Sequence, residues 1–257
     1  MAYVRQITET IDSIYIQEGH SGRYGAPGMP RQERKKKTPE EIEKQNEWMA
    51  VRRLELLIAN NFYCGDYHIT WTFEKNEKPQ SFEELIDIGQ KFVRKARDAY
   101  KRSKKELKYI WVPEKGKRGN NFHIHMIVND WVDGGMTGIK LLRCVWKKMG
   151  YHGRPKMTPL DPEKSYKDLA EYLVKETMQT VKETGSPLKQ RYKASRNLEK
   201  PKTKKKIMRR PTWKDAYIKK GYVLDKSTYR EGINKFTGYA YRYYTLVKLI
   251  PTGKIRC

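Results

Sequence analysis

The sequence predicts an α+β protein built on an antiparallel sheet, with elements in the order β-α-β-β-α-β and one further helix. Three observations predict it. Residues 66–73 alternate apolar and polar side chains, as a strand with one buried face does. Thr38 and Ser81 each begin a Ser/Thr-x-x-Glu capping box, which marks the start of a helix. Two strand-like segments at 107–114 and 121–129 are joined by a short turn, which favours a hairpin.

Residues 1–60 are predicted to form a basic N-terminal arm and a helix. Glycine, proline and lysine dominate residues 12–37, which is typical of a flexible basic arm. In the segment T-P-E-E, Thr38 can cap the helix and Glu41 completes the capping box. The helix is expected to end near Ala59.

Residues 61–185 are predicted to form the core, a ferredoxin/RRM-like antiparallel sheet followed by a tyrosine-bearing helix. The segment D-Y-H-I-T-W-T-F places its apolar side chains on one face of the first strand. Prolines make the last strand an edge strand. Helices should cover one face of the sheet and leave the other face free. The strands are expected at 66–73, 107–114, 121–129 and 154–160, and the helices at 81–105, 138–149 and 165–181.

Residues 186–257 are predicted to be a basic extension that packs on the core or extends it. Charge is dense over 189–210, and Y-A-Y-R-Y-Y-T-L-V-K-L-I at 239–250 has the composition of a strand. The lysine- and arginine-rich part of this extension is either a binding segment for nucleic acid or a solvated linker.

The net charge of +25 and the pI of about 9.8 predict a polyanionic partner, most often nucleic acid. No stretch of about 18 apolar residues predicts a transmembrane helix, so no membrane partner is expected. The N-terminus lacks a basic start followed by an apolar stretch, so no secretory signal is expected. Cys64, Cys144 and Cys257 form no C-x-x-C pair, which favours the reducing environment of the cytoplasm.

The segment N-F-H-I-H-M-I-V-N-D contains two of the five histidines of the chain. Side chains alternate along a strand, so His123 and His125 share one face and can bind one divalent ion. The hairpin brings Glu114 beside them as a third ligand, and His68, on the polar face of the first strand, is a rival. A set of two histidines and one carboxylate suits Mn²⁺ or Mg²⁺ and leaves positions open for a substrate phosphate.

The helix expected at 165–181 supplies a candidate nucleophile. Tyr172 and Lys175 lie three residues apart and therefore on one face of the helix. A tyrosine can attack phosphorus to form a covalent ester, and a nearby lysine can favour phenolate or hold a phosphate oxygen. Tyr217 and Lys220 repeat this spacing, so the pattern alone is not specific. Without the histidines, Tyr172 would be interpreted as a packing residue.

The order of these motifs resembles that of the HUH endonuclease superfamily, specifically the single-tyrosine rolling-circle replication initiators (Rep proteins) of plasmids and phages. Residues 66–73 resemble the first motif of that family, His123-Ile124-His125 its His-hydrophobe-His motif, and Tyr172 with Lys175 its tyrosine motif. The resemblance covers about residues 60–182.

The resemblance implies a metal-dependent, site-specific nickase and strand transferase acting on single-stranded origin DNA. Glu114, His123 and His125 would hold Mn²⁺ or Mg²⁺, Tyr172 would form a 5′-phosphotyrosine intermediate, and Lys175 would orient the phosphate. Tyr166 lies six residues before Tyr172 and off its helix face, so one nucleophile is expected. The resemblance also implies a location in the cytoplasm of a bacterial host.

No G-x-x-x-x-G-K-[ST] motif is present, so unwinding and synthesis would need a separate host helicase and DNA polymerase. The alternatives are a transposase or mobilisation relaxase of the same superfamily, and a non-catalytic RRM-like nucleic-acid-binding protein. Basic side chains are expected to hold single-stranded origin DNA and an adjacent duplex or hairpin. They are Lys115, Lys117, Arg118, Arg191, Lys193, Arg196, Lys204, Lys205, Lys206, Arg209 and Arg210.

Overall fold

The computed structural model describes residues 2–20, 38–116, 121–161, 166–184, 192–210, 213–234 and 238–250. These residues form a mixed α+β structure with antiparallel sheets and four α-helices. The chain divides into two compact units. The histidine unit comprises Asn61–Asp161 and Asp168–Leu198, and the terminal unit comprises Met1–Asn60, Pro162–Lys167 and Glu199–Thr252.

The elements are numbered along the chain. The helices are α1 (Pro39–Asn61), α2 (Phe82–Arg102), α3 (Gly138–Lys148) and α4 (Lys167–Thr184). The strands are β1 (Tyr3–Glu9), β2 (Ser13–Gly19), β3 (Tyr67–Trp71), β4 (Tyr109–Glu114), β5 (His123–Val128), β6 (Val132–Asp133), β7 (Met136–Thr137), β8 (Lys156–Pro159), β9 (Lys193–Ala194), β10 (Thr203–Met208), β11 (Tyr222–Ile233) and β12 (Ala240–Lys248). Within the part of the chain that is described, no helix is both long and apolar enough to cross a membrane.

The histidine unit is built on a five-stranded antiparallel sheet in the order β8-β3-β5-β4-β9. The side chains of Ile124, Met126 and Val128 on β5 are buried in one apolar core with residues of α2 and α3. Alternation therefore places His123 and His125 on the opposite face of the sheet. Each strand and helix predicted in this region overlaps an observed element, and β8 is an edge strand as the prolines indicated.

Capping side chains fix the helices that back this sheet. Ser81 accepts a hydrogen bond from the backbone N–H of Glu84 at 3.1 Å, and Thr137 accepts one from the N–H of Lys140 at the same distance. These bonds satisfy N–H groups that have no partner inside the helix. Gly89 lets α2 approach the sheet closely, because a Cβ there would lie 2.7 Å from ring atoms of Trp111.

The second face of the sheet is covered where α4 lies. Ile110, Val112 and Ile127 point to this face and are buried, and a hydrogen bond from Tyr172 attaches α4 to it. The buried side chains of α4 itself include Ala170, Leu173 and Val174. The prediction of a free second face is wrong here, because the added helix has an apolar side that must also be buried.

The terminal unit contains a second antiparallel sheet, in the order β10-β1-β2-β12-β11. It joins a hairpin from the start of the chain to strands from its end. The flexible arm predicted over 12–37 is wrong for residues 13–19, which form β2, while residues 21–37 lie outside the described part. The apolar stretch S-I-Y-I is short and stands next to a glycine-rich segment, so its local signal was weak.

A buried ion cluster joins the two ends of the chain inside this sheet. Glu18 is fully buried, and its carboxylate accepts hydrogen bonds from Arg5 Nε at 2.7 Å and from Arg242 Nε at 2.8 Å. Arg242 also donates to the backbone carbonyl of Lys214 at 2.8 Å. The carboxylate is thus compensated by two guanidinium groups, which burial of a charge requires.

Candidate active site

The central strand β5 places a histidine between two neighbours on adjacent strands. His125 pairs across the sheet with Thr70 on β3 and Val112 on β4, and His123 pairs with Glu114. Paired residues share a face, so the second face carries a polar patch at this end of the sheet. The hairpin register that predicted Glu114 beside the histidines is the register observed.

Three side chains of this patch meet directly. His125 Nε2 is hydrogen-bonded to Glu114 Oε2. The Tyr172 hydroxyl donates to the same carboxylate oxygen at 3.1 Å and lies 3.4 Å from His125 Nε2. The rings of Tyr172 and His125 pack edge to face with centroids 5.3 Å apart. Tyr172 is 40% exposed whereas the other two are buried, so the tyrosine lies at the boundary between the site and solvent.

His68 and Thr70 lie on the other side of the His125 ring. His68 Nε2 and Thr70 Oγ1 are each 3.2 Å from His125 Nδ1, and the imidazoles of His68 and His125 stack with centroids 5.3 Å apart. Glu114 therefore lies on the Nε2 side with Tyr172, and His68 on the Nδ1 side. The ring of His123 has its centroid 6.5 Å from that of His125.

Burial and charge shift the ionisation of these groups. Burial, followed by the charge of His125, lowers the pKa of His68 to about 4. Burial also lowers the pKa of His123. Burial opposes ionisation of Glu114, but hydrogen bonds from His125 and Tyr172 outweigh it and lower the pKa of this carboxyl. Burial and the adjacent Glu114 carboxylate raise the pKa of Tyr172.

Glu114 and His125 fit the ligand set expected for a divalent ion in donor type. One carboxylate oxygen and one imidazole nitrogen face each other, and Thr70 and His68 hold the second nitrogen of His125, as groups behind a metal-bound histidine commonly do. Across the ranges that are described, no three His, Cys, Asp or Glu side chains stand together as a ready ligand group. His123 is the neighbour on the same face that could supply the third ligand.

The predicted DNA-binding residues fall into two groups. Lys115, Lys193 and Arg196 belong to the histidine unit, and the ammonium of Lys193 lies 5.2 Å from the ring centroid of Trp111. Lys175 is exposed on α4, one turn beyond the nucleophile candidate. The predicted DNA-binding residues of the terminal unit are Lys204, Lys205, Lys206, Arg209 and Arg210. The structure does not describe the other three, which are Lys117, Arg118 and Arg191.

The other tyrosines considered from the sequence lie in the terminal unit. Tyr166 precedes α4, and Tyr217 has its ring under the guanidinium of Arg5 at 5.6 Å. Thr70 is the site residue that the sequence analysis did not single out. The alternation of side chains along the first strand could have predicted its position, because Thr70 lies two residues after His68 and therefore on the same face.

One polar cluster on the second face of the antiparallel sheet thus contains histidines, the Glu114 carboxylate and the hydroxyl of Tyr172 on α4. Residues 66–177 match the model of a family described as replication-associated protein. This segment is less than half of the chain, and it contains His68, Glu114, both histidines of β5 and Tyr172. The match supports a Rep-type replication initiator. Comparisons with curated proteins and with solved structures each returned no match.

Proposed function

We propose that this protein is a metal-dependent, site-specific nickase and strand transferase that initiates rolling-circle replication on single-stranded origin DNA. The observation that carries the proposal is the position of the Tyr172 hydroxyl beside Glu114 and His125, on a side chain that solvent can reach. In this proposal the β-α-β-β-α-β core is a ferredoxin-like HUH endonuclease fold. The family match to a replication-associated protein supports the role in replication.

The reaction exchanges one phosphoester for another. The phenolic oxygen of Tyr172 loses its proton and attacks the scissile phosphorus, the bond from phosphorus to the 3′ oxygen breaks, and that oxygen takes up one proton and leaves as a 3′-hydroxyl. The product is a 5′-phosphotyrosine, and attack by a 3′-hydroxyl reverses the step and rejoins the strand. Glu114 Oε2 accepts the hydrogen bond of the phenol in the resting arrangement and so fixes the direction of the oxygen lone pairs.

The remaining residues of the site would bind the metal ion, orient its histidine ligand or contact the phosphate. A Mn²⁺ or Mg²⁺ ion bound by Glu114, His123 and His125 would polarise the scissile phosphate and offset its developing negative charge. Thr70 and His68 orient the His125 ring through its Nδ1 atom. Lys175 supplies a point charge for a phosphate oxygen near the nucleophile. Helicase and polymerase would be separate proteins of a bacterial host, in whose cytoplasm the protein would act.

A non-catalytic RRM-like role is less well supported by the site. Such a domain needs exposed aromatic side chains on its central strands. The corresponding face of β5 instead carries His123, His125 and the buried Ile127. The central strand of the histidine unit therefore presents two imidazoles, which are metal ligands in our proposal, where an RRM-like function requires an aromatic stacking surface.

Covalent capture tests the proposal. The full chain is incubated with labelled single-stranded DNA carrying candidate origin sequences and Mn²⁺, and a labelled protein band is sought on a denaturing gel. Wild type should form the adduct, Tyr172→Phe should not, and His123→Ala should reduce it strongly. Tyr166→Phe is the matched control and should form the adduct normally. An adduct that survives Tyr172→Phe would overturn the mechanism.

A further inference from the structure

One face of the sheet in the terminal unit carries a polar and aromatic row that the nicking reaction does not use. Cross-strand pairing places one residue from each of the five strands side by side. The face is opposite to the apolar cluster of Ile14 and Leu246, because paired residues share a face and neighbours in sequence do not. From edge to edge the row reads Lys205, Gln6, Gln17, Tyr243 and Arg230.

Aromatic rings stand on this face within reach of one another. The rings of Tyr241 and Tyr243 are stacked, with centroids 5.8 Å apart and an interplanar angle of 15°. Trp48 projects from α1 and has its ring centroid 6.2 Å from that of Tyr243. The Trp48 side chain is 45% exposed. A cavity of about 220 Å³ opens beside it, and Gln6, Gln17 and Trp48 are among its lining residues.

The lysine-rich strand β10 divides its charge between the two faces of the sheet. Lys205 pairs with Gln6 and points to the aromatic face, whereas Lys204 and Lys206 pair with Ile7 and Arg5 on the opposite face. All three lysines are exposed. Arg53, exposed on α1, adds a second cation at the rim of the cavity. The aromatic face thus has amides and stackable rings at its centre and positive charge at its margin.

We propose that this aromatic face, formed by Gln6, Gln17, Trp48, Lys205, Tyr241 and Tyr243, binds single-stranded DNA as a site separate from Tyr172. Bases can stack on exposed rings only when they are unpaired, which selects a single strand over a duplex. The amides of Gln6 and Gln17 can bond base edges, and Lys205 can neutralise a phosphate. The site goes beyond the nicking reaction, because it needs neither the metal nor the nucleophile.

Binding is measured with the full-length Tyr172→Phe protein, which cannot form the covalent link, and a fluorescently labelled single-stranded oligonucleotide. Trp48→Leu and Tyr243→Leu should each weaken binding by about 5- to 150-fold, the range for loss of one stacked base. Tyr217→Leu is the matched control, because Tyr217 is also 45% exposed but contacts Arg5 of the opposite face. Equal weakening by Trp48→Leu and Tyr217→Leu would overturn the site.

Charge is tested with one lysine of the aromatic face and one exposed lysine outside it. Lys205→Ala should reduce the slope of log K against log salt by roughly 0.7, the value for one phosphate contact on a single strand. Lys220→Ala removes the same charge from an exposed lysine of the terminal unit that is not part of the aromatic face, and it should leave the slope closer to that of the parent protein. A duplex of the same length should bind more weakly, and equal affinity for the duplex would contradict base stacking.

Intrinsic fluorescence gives a direct readout of stacking. Of the six tryptophans, all within the described ranges, Trp48 is the exposed one, and the other five are at most 8% exposed. Single-stranded DNA should therefore quench emission from the protein, and Trp48→Phe should remove the quenching while retaining most of the affinity. Binding without quenching would place the DNA elsewhere. This readout does not depend on the reaction of Tyr172. A negative result in the covalent-adduct test would therefore leave the aromatic-face proposal standing, and the reverse also holds.

Discussion

The Tyr172 hydroxyl lies 3.1 Å from Oε2 of Glu114, the same oxygen that is hydrogen-bonded to His125. In this arrangement the carboxylate stabilises the protonated phenol, and the pKa of Tyr172 is raised by burial and by this charge. A cation bound by Glu114 would offset the charge that disfavours the phenolate. In the proposed mechanism, this contact would link metal binding to activation of the nucleophile.

Metal binding should be visible without any DNA. Mn²⁺ should raise the melting temperature of the wild-type protein, because a ligand that binds only the folded state stabilises it. His125→Ala and Glu114→Gln should each remove most of this rise, since each deletes a proposed ligand. The measurement is a thermal melt in EDTA and in Mn²⁺, with Lys175→Ala as the control that keeps the rise. An unchanged rise in both ligand variants would contradict the assignment.

Stability in EDTA should fall as the pH drops from about 6.5 to about 4. The pKa of His68 is about 4 in the folded protein, whereas an unfolded histidine titrates near about 6.5. Between these two pKa values the unfolded chain binds a proton at His68 and the folded chain does not. The full stabilisation is therefore present only above the unfolded pKa of about 6.5. His68 alone should contribute a slope that approaches about 1.4 kcal/mol per pH unit, the value for one proton, and His123, whose pKa is also lowered by burial, adds to it.

Urea unfolding at several pH values checks this dependence. His68→Gln should reduce the slope in that window, because the contribution of His68 is gone and that of His123 remains. Thr70→Val removes a neighbouring hydroxyl of His125 but no ionisable group, and it should keep the slope of wild type. The idea fails if His68→Gln and wild type show parallel pH profiles.

Removing the buried carboxylate of the terminal unit should destabilise the fold. Glu18→Ala would leave Arg5 and Arg242 without their anion, which costs about 3 to 5 kcal/mol for a broken buried pair. Glu9→Ala breaks the exposed pair with Lys219 and should cost at most about 1 kcal/mol. Chemical denaturation of both variants measures the difference, and similar losses would argue against the buried cluster.

Gly89→Ala should destabilise the histidine unit although alanine is the better helix former. A Cβ at this position would lie 2.7 Å from two ring atoms of Trp111, and a buried indole cannot move aside easily. We expect a loss of about 1 to 3 kcal/mol, as for other overpacked cores. In a double-mutant cycle, Trp111→Leu should make Gly89→Ala less costly. Independent effects of the two changes would show that the contact is not responsible.

Many elements of the fold could be predicted because their signals are local. Thr38 and Ser81 cap their helices through bonds to residues three positions away, and alternation along β5 separates Ile124 from His125. The β2 strand was missed because its pairing partners are β1 and, from the far end of the chain, β12. A short apolar segment does not reveal which distant strands will bury it.

In the candidate site, too, some features follow from local sequence and others depend on contacts between distant segments. The shared face of His123 and His125 follows from the two-residue repeat of a strand, and Glu114 follows from the hairpin register. The contact of Tyr172 with Glu114 joins residues 58 positions apart and depends on how α4 packs. From the sequence it could be expected only through the resemblance to the Rep family.

The capped helices, the face of the histidines and the strongly basic charge all follow from the amino-acid sequence, because each depends on neighbours along the chain or on composition. Packing in three dimensions selects which nitrogen of His125 meets Glu114 and which meets His68. It also brings Lys205 to the same face as Tyr243 and leaves Lys206 on the other. These choices depend on contacts between distant segments, where burial of apolar surface and pairing of strand edges select one register among several.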